Sequence, residues 1–129
     1  MMAKIKTIPC DPYRRDIDVF IGSHEELLKY ANKHLKDDCL LDIIKNVNPD
    51  DYDASFYYRG DGTGIVHMYK MPTTPVEISV AGHEVLHATF HILNYCGVEY
   101  QVNGSNEAFT YLHQWILQNV LDKKGYRKV

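Results

Sequence analysis

The sequence is poor in cysteine, in long apolar runs and in clustered positive charge, and each shortage excludes a class of protein. The three cysteines are odd in number and none forms a CxxC pair, which argues against a disulfide framework or a zinc knuckle. No uninterrupted apolar run approaches the roughly 18 residues of a membrane span. With a formal net charge of −3 and no long run of Lys or Arg, the chain should bind neither nucleic acid nor a membrane surface.

The composition is that of an ordinary globular protein. With 129 residues, 45% of them hydrophobic and 24% charged, we expect a single domain over residues 1–129. A chain of this size builds a modest core and leaves little room for a deep pocket, so an active site should be shallow. The first residues carry charge and no apolar stretch typical of a signal peptide. Together with the unpaired cysteines, this predicts a cytoplasmic protein.

Hydrophobic periodicity in the first half of the chain predicts strands and short helices. Residues 16–21 alternate between apolar and polar side chains, as in a half-buried strand. A capping box opens a helix over residues 23–36, and residues 40–47 show helical spacing. Residues 53–59 and 64–70 are rich in aromatic and β-branched side chains and flank a glycine-containing turn, so they should form a β-hairpin.

Two longer helices are predicted in the second half. A capping box over Thr74–Glu77, with a proline at the first helical position, starts a helix over residues 76–96. Gly97 suits the left-handed position that ends it. A second helix follows, capped by Ser105 or Asn106. The expected fold class is therefore α+β, with a small sheet and hairpin packed on these two helices.

The first of the two long helices contains the segment His83-Glu84-Val85-Leu86-His87, an HExxH motif. Residues i and i+4 of a helix lie one above the other, so both imidazoles can bind a single Zn²⁺ at about 2.0 to 2.1 Å. Glu84 lies beside them, where it can hydrogen-bond a zinc-bound water, accept its proton and pass it to a leaving amine. We expect a zinc site with Glu84 as general base.

A catalytic zinc needs a third protein ligand. His91 continues the stripe of His83 and His87, but residues eight apart on a helix are separated by about 12 Å of rise, which is too far for one ion. His91 is therefore interpreted as a surface or supporting residue. Glu107, which follows His87 after 19 intervening residues, begins the next helix and is the better third ligand. The alternative is that Glu107 only caps its helix or interacts with the helix dipole.

The HExxH segment followed by Asn106-Glu107-Ala108 resembles the gluzincin pattern of zinc metallopeptidases, with the spacing of the thermolysin group. The chain is too short for the two-lobed body of that group, so it is more similar to minimal gluzincins, compact zincin-like domains often encoded by phages and mobile elements. The resemblance implies that His83, His87 and Glu107 bind Zn²⁺ and that Glu84 is the general base. For a phage protein, the cytoplasm would be that of the host cell.

The resemblance also suggests where a substrate would bind. In the thermolysin group an Asp four residues after the glutamate ligand orients a zinc-bound histidine, and here Tyr111 stands in its place. Zincins place an edge strand before the active-site helix, antiparallel to the bound peptide, and residues 64–70 fit that place. His67 or Tyr69 on that strand, or Tyr111, would then stabilise the oxyanion. The alternative for His67 is a position on a strand face without a catalytic role.

The function expected from these residues is hydrolysis of a peptide or protein substrate by a zinc metallopeptidase. The alternative is a non-catalytic zinc-binding or protein-interaction domain that retains a zincin fold. An intact Glu84 favours the enzyme, because structural zinc needs no general base and prefers four protein ligands. The remaining helical histidines are expected on helix surfaces: His24, His34, His91 and His113.

Overall fold

A computed structural model describes residues 2–104 and 106–129, which form an α+β fold with a five-stranded sheet and four α-helices. The strands are β1 (Lys4–Ile8), β2 (Ile17–Ile21), β3 (Ala54–Tyr58), β4 (Gly64–Met68) and β5 (Arg127–Lys128). The helices are α1 (His24–Tyr30), α2 (Asp38–Asn46), α3 (Pro75–Tyr95) and α4 (Asn106–Leu121). Within the described residues, none of these helices combines the length and apolarity needed to cross a bilayer.

The predicted helix ends are confirmed by hydrogen bonds. In α1 the Ser23 hydroxyl accepts the N–H of Glu26, whose carboxylate accepts the N–H of Ser23. Thr74 and Glu77 make the same reciprocal pair at the start of α3. Gly97 follows α3 with a φ of +78°, the left-handed conformation expected of it. A π-helical turn, Ala31–Leu35, extends α1. Ser105, the alternative cap of α4, lies outside the described residues.

The sheet order is β3-β4-β2-β1-β5. β4 pairs with β2 in parallel and with β3 antiparallel, so the predicted hairpin is confirmed. The expectation that residues 64–70 form an edge strand is wrong, because β4 lies inside the sheet and β3 forms the edge. Two adjacent strands in a hairpin pattern do not reveal which of them faces the rest of a sheet; the pairing with β2 decides it.

Helices cover both faces of the sheet. Alternate residues of a strand point to opposite faces, and in β4 the side chains of Val66 and Met68 belong to the core cluster that contains α3 and α4. Ile65, one residue away, belongs to the cluster of α1 and α2. The HExxH motif and the helix that carries Glu107 therefore pack on the same side of the sheet.

The pKa of the buried His67 predicts a loss of stability in mild acid. Burial lowers this pKa below the ordinary value near 6.5, and the hydrogen bond to Gly22 only partly opposes the effect. Below pH 6.5 the imidazole of His67 binds a proton more readily in the unfolded chain than in the folded one. The stability that neutral His67 contributes to the fold is therefore complete above pH 6.5 and is lost as the pH falls through the lowered pKa. The free energy of unfolding should fall with decreasing pH by at most about 1.4 kcal/mol per pH unit from this residue.

Urea unfolding of wild type and His67→Gln between pH 7.5 and pH 5 measures this slope. We expect the wild type to lose more stability than the variant over that range. His113, whose pKa is also lowered by burial, adds a slope of the same sign to both proteins and so cancels in the comparison. Parallel pH curves for the two proteins would contradict the prediction.

Candidate metal centre

The two histidines of the HExxH motif lie close together on one face of α3. His83 Nε2 and His87 Nε2 are 3.2 Å apart, and the rings are nearly perpendicular with centroids 4.8 Å apart. Two nitrogens that each bind a tetrahedral ion at about 2.0 to 2.1 Å are separated by roughly 3.3 to 3.4 Å. Both side chains are exposed, so an ion could reach them from solvent. The pair is therefore spaced as two ligands of one metal ion would be.

Glu84 completes a group of three that could hold a metal ion. One potential ligand atom of each of His83, Glu84 and His87 lies within 4.8 Å of the others. Glu84 is half-buried, and burial raises the pKa of its carboxyl, although the two histidines and the backbone N–H of Phe56 act in the opposite direction. A raised pKa makes a carboxylate a stronger proton acceptor.

Glu107 lies in the first turn of α4, outside that group of three. α4 runs antiparallel to α3, because His113 contacts the carbonyl of Gly82 at 3.1 Å and the ring of Phe109 lies 4.9 Å from that of Phe90. Glu107 precedes Phe109 by two residues, and Phe90 follows His87 by three. In this antiparallel packing the first turn of α4 lies opposite the part of α3 that follows Phe90, and the Glu107 side chain is exposed there.

The three residues considered for the oxyanion differ in their surroundings. His67 is only 2% exposed, faces the α1 side of the sheet beside Phe20, and bonds the Gly22 carbonyl at 2.8 Å. Tyr69 donates its hydroxyl to the Pro49 carbonyl at 3.0 Å. Tyr111 is 67% exposed on α4. The structure thus places His67 on the face of the sheet opposite α3, where it cannot contact an oxyanion at the metal-binding group.

The other histidines divide between surface and interior. His34 is exposed, as expected. His113 is half-buried between α3 and α4, and His24 is half-buried with its Nδ1 enclosed, so the expected surface positions are wrong for both. His91 is also half-buried, because it contacts the β3–β4 hairpin. Spacing along a helix does not show which face a neighbouring element covers.

A groove of about 770 Å³ begins at the metal-binding group and follows β3. Glu84 and His87 line it, with α3 on one side and Ile43 of α2 on the other. Seven aromatic side chains contribute to its surface, and no lysine or arginine is among the described residues that line it. Exposed aromatic side chains in a concave surface are typical of binding sites.

β3 forms the edge of the sheet along this groove. The Arg59 N–H donates to the Thr63 carbonyl at 2.9 Å, and hydrogen-bonded pairs alternate with non-bonded pairs in an antiparallel hairpin. By that alternation Phe56 and Tyr58 direct their N–H and C=O groups to the open edge. The Phe56 N–H is the group that reaches Glu84.

The sequence does not reveal this edge or its aromatic wall. The aromatic side chains of residues 53–59 predict one strand of a hairpin, and their concentration shortly before an HExxH helix is the available signal for a site. Only the fold shows that they share one groove.

Comparison with protein-family models, with curated proteins and with solved structures gives no match to this chain. The support for a metal centre is therefore its geometry. The chain carries a His-Glu-x-x-His cluster on a helix that could hold a metal ion, and that cluster faces an open groove.

Proposed function

We propose that this protein is a zinc-dependent metallopeptidase with a minimal zincin-like fold of gluzincin type. The observation that carries the proposal is the position of Glu84 between a pair of imidazoles and a groove with a free strand edge. Zn²⁺ is the metal favoured by two imidazoles and a carboxylate. His83 and His87 would hold it, with Glu107 of α4 as the proposed third ligand.

The chemistry divides between the metal and the chain. Bound Zn²⁺ would polarise a carbonyl and lower the pKa of a water to about 7. Glu84 accepts the proton of the attacking water and delivers it to the leaving nitrogen as the peptide bond breaks. Partial burial raises the pKa of the Glu84 carboxyl and so strengthens it as a proton acceptor, while the charge of a bound Zn²⁺ would act in the opposite direction.

The substrate would be an extended peptide segment. Its backbone would pair with the outward C=O of Phe56 and the outward N–H and C=O of Tyr58, adding a strand to the edge of the sheet. Its side chains would contact the aromatic surface of the groove, where Tyr52, Phe90 and Tyr100 are exposed. This places the susceptible bond near Glu84, where β3 comes closest to the metal-binding group.

A second function is favoured by the same groove. An aromatic, concave surface beside a free strand edge also suits a domain that binds a peptide without cleaving it. In that case zinc would serve stability and Glu84 would have no chemical role.

Zinc analysis and a peptide-library digest test the proposal together. Protein purified without chelator should hold close to one equivalent of zinc, and mass spectrometry of the digest should show cleavage products that disappear after treatment with a chelator and return with added Zn²⁺. Less than a tenth of an equivalent, with no stabilisation by added zinc, would overturn the metal site. Bound zinc without cleavage would favour the binding function.

Glu107→Ala tests the third ligand. Loss of one of three protein ligands should weaken zinc binding by at least the 10–100-fold typical of lost supporting residues. Competition with a chromophoric chelator measures this affinity, and Glu25→Ala, at an exposed glutamate of α1, is the matched control. Equal zinc affinity in wild type and Glu107→Ala would assign Glu107 to helix capping instead.

A further inference from the structure

His91, the third histidine of the α3 stripe, is hydrogen-bonded to the turn of the β3–β4 hairpin. Its Nε2 lies 3.1 Å from the carbonyl oxygen of Arg59 and 3.1 Å from that of Thr63. Carbonyl oxygens only accept hydrogen bonds, so Nε2 carries the proton and donates to both. Arg59 and Thr63 also bond to each other and close the hairpin. One imidazole therefore ties α3 to both sides of the turn.

Arg59 connects the same turn to the opposite wall of the groove. Its Nε lies 3.3 Å from Oδ2 of Asp37. The other carboxylate oxygen of Asp37 caps α2 by accepting the N–H of Leu40 at 3.1 Å. Since α2 and α3 form the two walls, the end of β3 is held from both sides. These contacts fix the width of the groove at this end.

The His91 ring also contacts the strand itself. Its centroid lies 5.7 Å from that of Phe56 and 5.4 Å from that of Tyr58. These are the two residues whose backbone groups face the open edge. The ring packs on β3 while its two hydrogen bonds hold the turn that follows β3, so His91 joins both to α3.

We propose that His91 is a positioning residue, which holds the free edge of β3 at a fixed distance from Glu84 and His87. The proposal rests on the peptidase function, because the edge is where the substrate backbone would pair. A displacement of about 1 Å between a substrate and its catalytic groups can lower a rate by roughly 10²-fold. This role accounts for a histidine four residues after His87 without making His91 a metal ligand.

Two substitutions separate the hydrogen bonds from the ring contacts. His91→Phe retains a ring beside Phe56 and Tyr58 but cannot donate to the carbonyls. His91→Gln has an amide nitrogen with two protons, one for each carbonyl. The exposed His34 is outside the site, and His34→Phe is the matched control.

Hydrogen exchange tests the positioning independently of activity. In His91→Phe the amides of Arg59 and Gly62, which close the turn, should exchange about tenfold faster than in wild type, and His91→Gln should restore most of the protection. On a peptide identified in the library digest, His91→Phe should lower kcat/KM by about 10- to 100-fold, with zinc content unchanged and partial rescue by His91→Gln.

The outcomes distinguish the two proposals. The role of His91 is overturned if the amides of Arg59 and Gly62 exchange in His91→Phe at the wild-type rate. It is also overturned if kcat/KM is unchanged in that variant. If the wild-type protein holds zinc but cleaves no peptide, the peptidase function fails, while faster exchange in His91→Phe still supports His91 as the residue that fixes the edge. Loss of zinc in His91→Phe would also overturn the proposal, because the metal site itself would then depend on His91.

Discussion

Glu84→Gln is expected to lower kcat/KM for peptide cleavage by about 10²- to 10⁴-fold, the usual contribution of a general acid–base group. Glutamine has almost the shape of glutamate but cannot accept the proton of the attacking water or return it to the leaving nitrogen. The loss should therefore fall on kcat, with little change in KM. Steady-state kinetics on a fluorogenic peptide chosen from the library digest measure both constants.

Zinc content decides how this result is interpreted. Since Glu84 is a proton acceptor and not a ligand in the proposed mechanism, the variant should bind zinc as the wild type does. Glu25→Gln, the same chemical change at an exposed position of α1, should leave both constants unchanged. Wild-type kcat in zinc-loaded Glu84→Gln would remove Glu84 from the mechanism. Loss of zinc would instead make Glu84 a ligand.

The parts of the fold that depend on neighbouring residues could be predicted from the sequence. The caps at Ser23 and Thr74 and the stop at Gly97 depend on contacts within one turn. The same holds for the pairing of His83 with His87, which requires only a helix between them. These features place the metal-binding group without any knowledge of the tertiary structure.

The parts that depend on distant residues could not be predicted. β1 and β5 were missed, because β5 is two residues long and β1 lacks a regular alternation of buried and exposed side chains. Every residue of β4 is buried, since helices cover both faces of the sheet, so no pattern showed that His67 faces away from α3. The open edge at β3 and the contacts of His91 follow from strand order, which the sequence does not display.

Removal of either histidine of the motif should abolish stoichiometric zinc binding. His83→Ala and His87→Ala each leave at most one imidazole where two now lie 3.2 Å apart, so we expect zinc affinity to fall by more than about 10²-fold, beyond the effect of residues that merely support ligands. A ligand at 1,000 times its Kd stabilises a folded protein by about 4.1 kcal/mol. Added zinc should therefore raise the Tm of the wild type and leave that of both variants nearly unchanged.

Calorimetric titration with Zn²⁺, together with thermal unfolding, separates a lost ligand from a damaged fold. Both side chains are exposed, so the metal-free variants should unfold close to the metal-free wild type. His34→Ala, at an exposed histidine distant in sequence, should retain the full response to zinc. If His83→Ala still bound one equivalent with wild-type affinity, the ion would be held elsewhere, and the 3.2 Å contact would be a hydrogen bond between two imidazoles. The groove would then belong to a peptide-binding domain, because Glu84 would have no metal beside it.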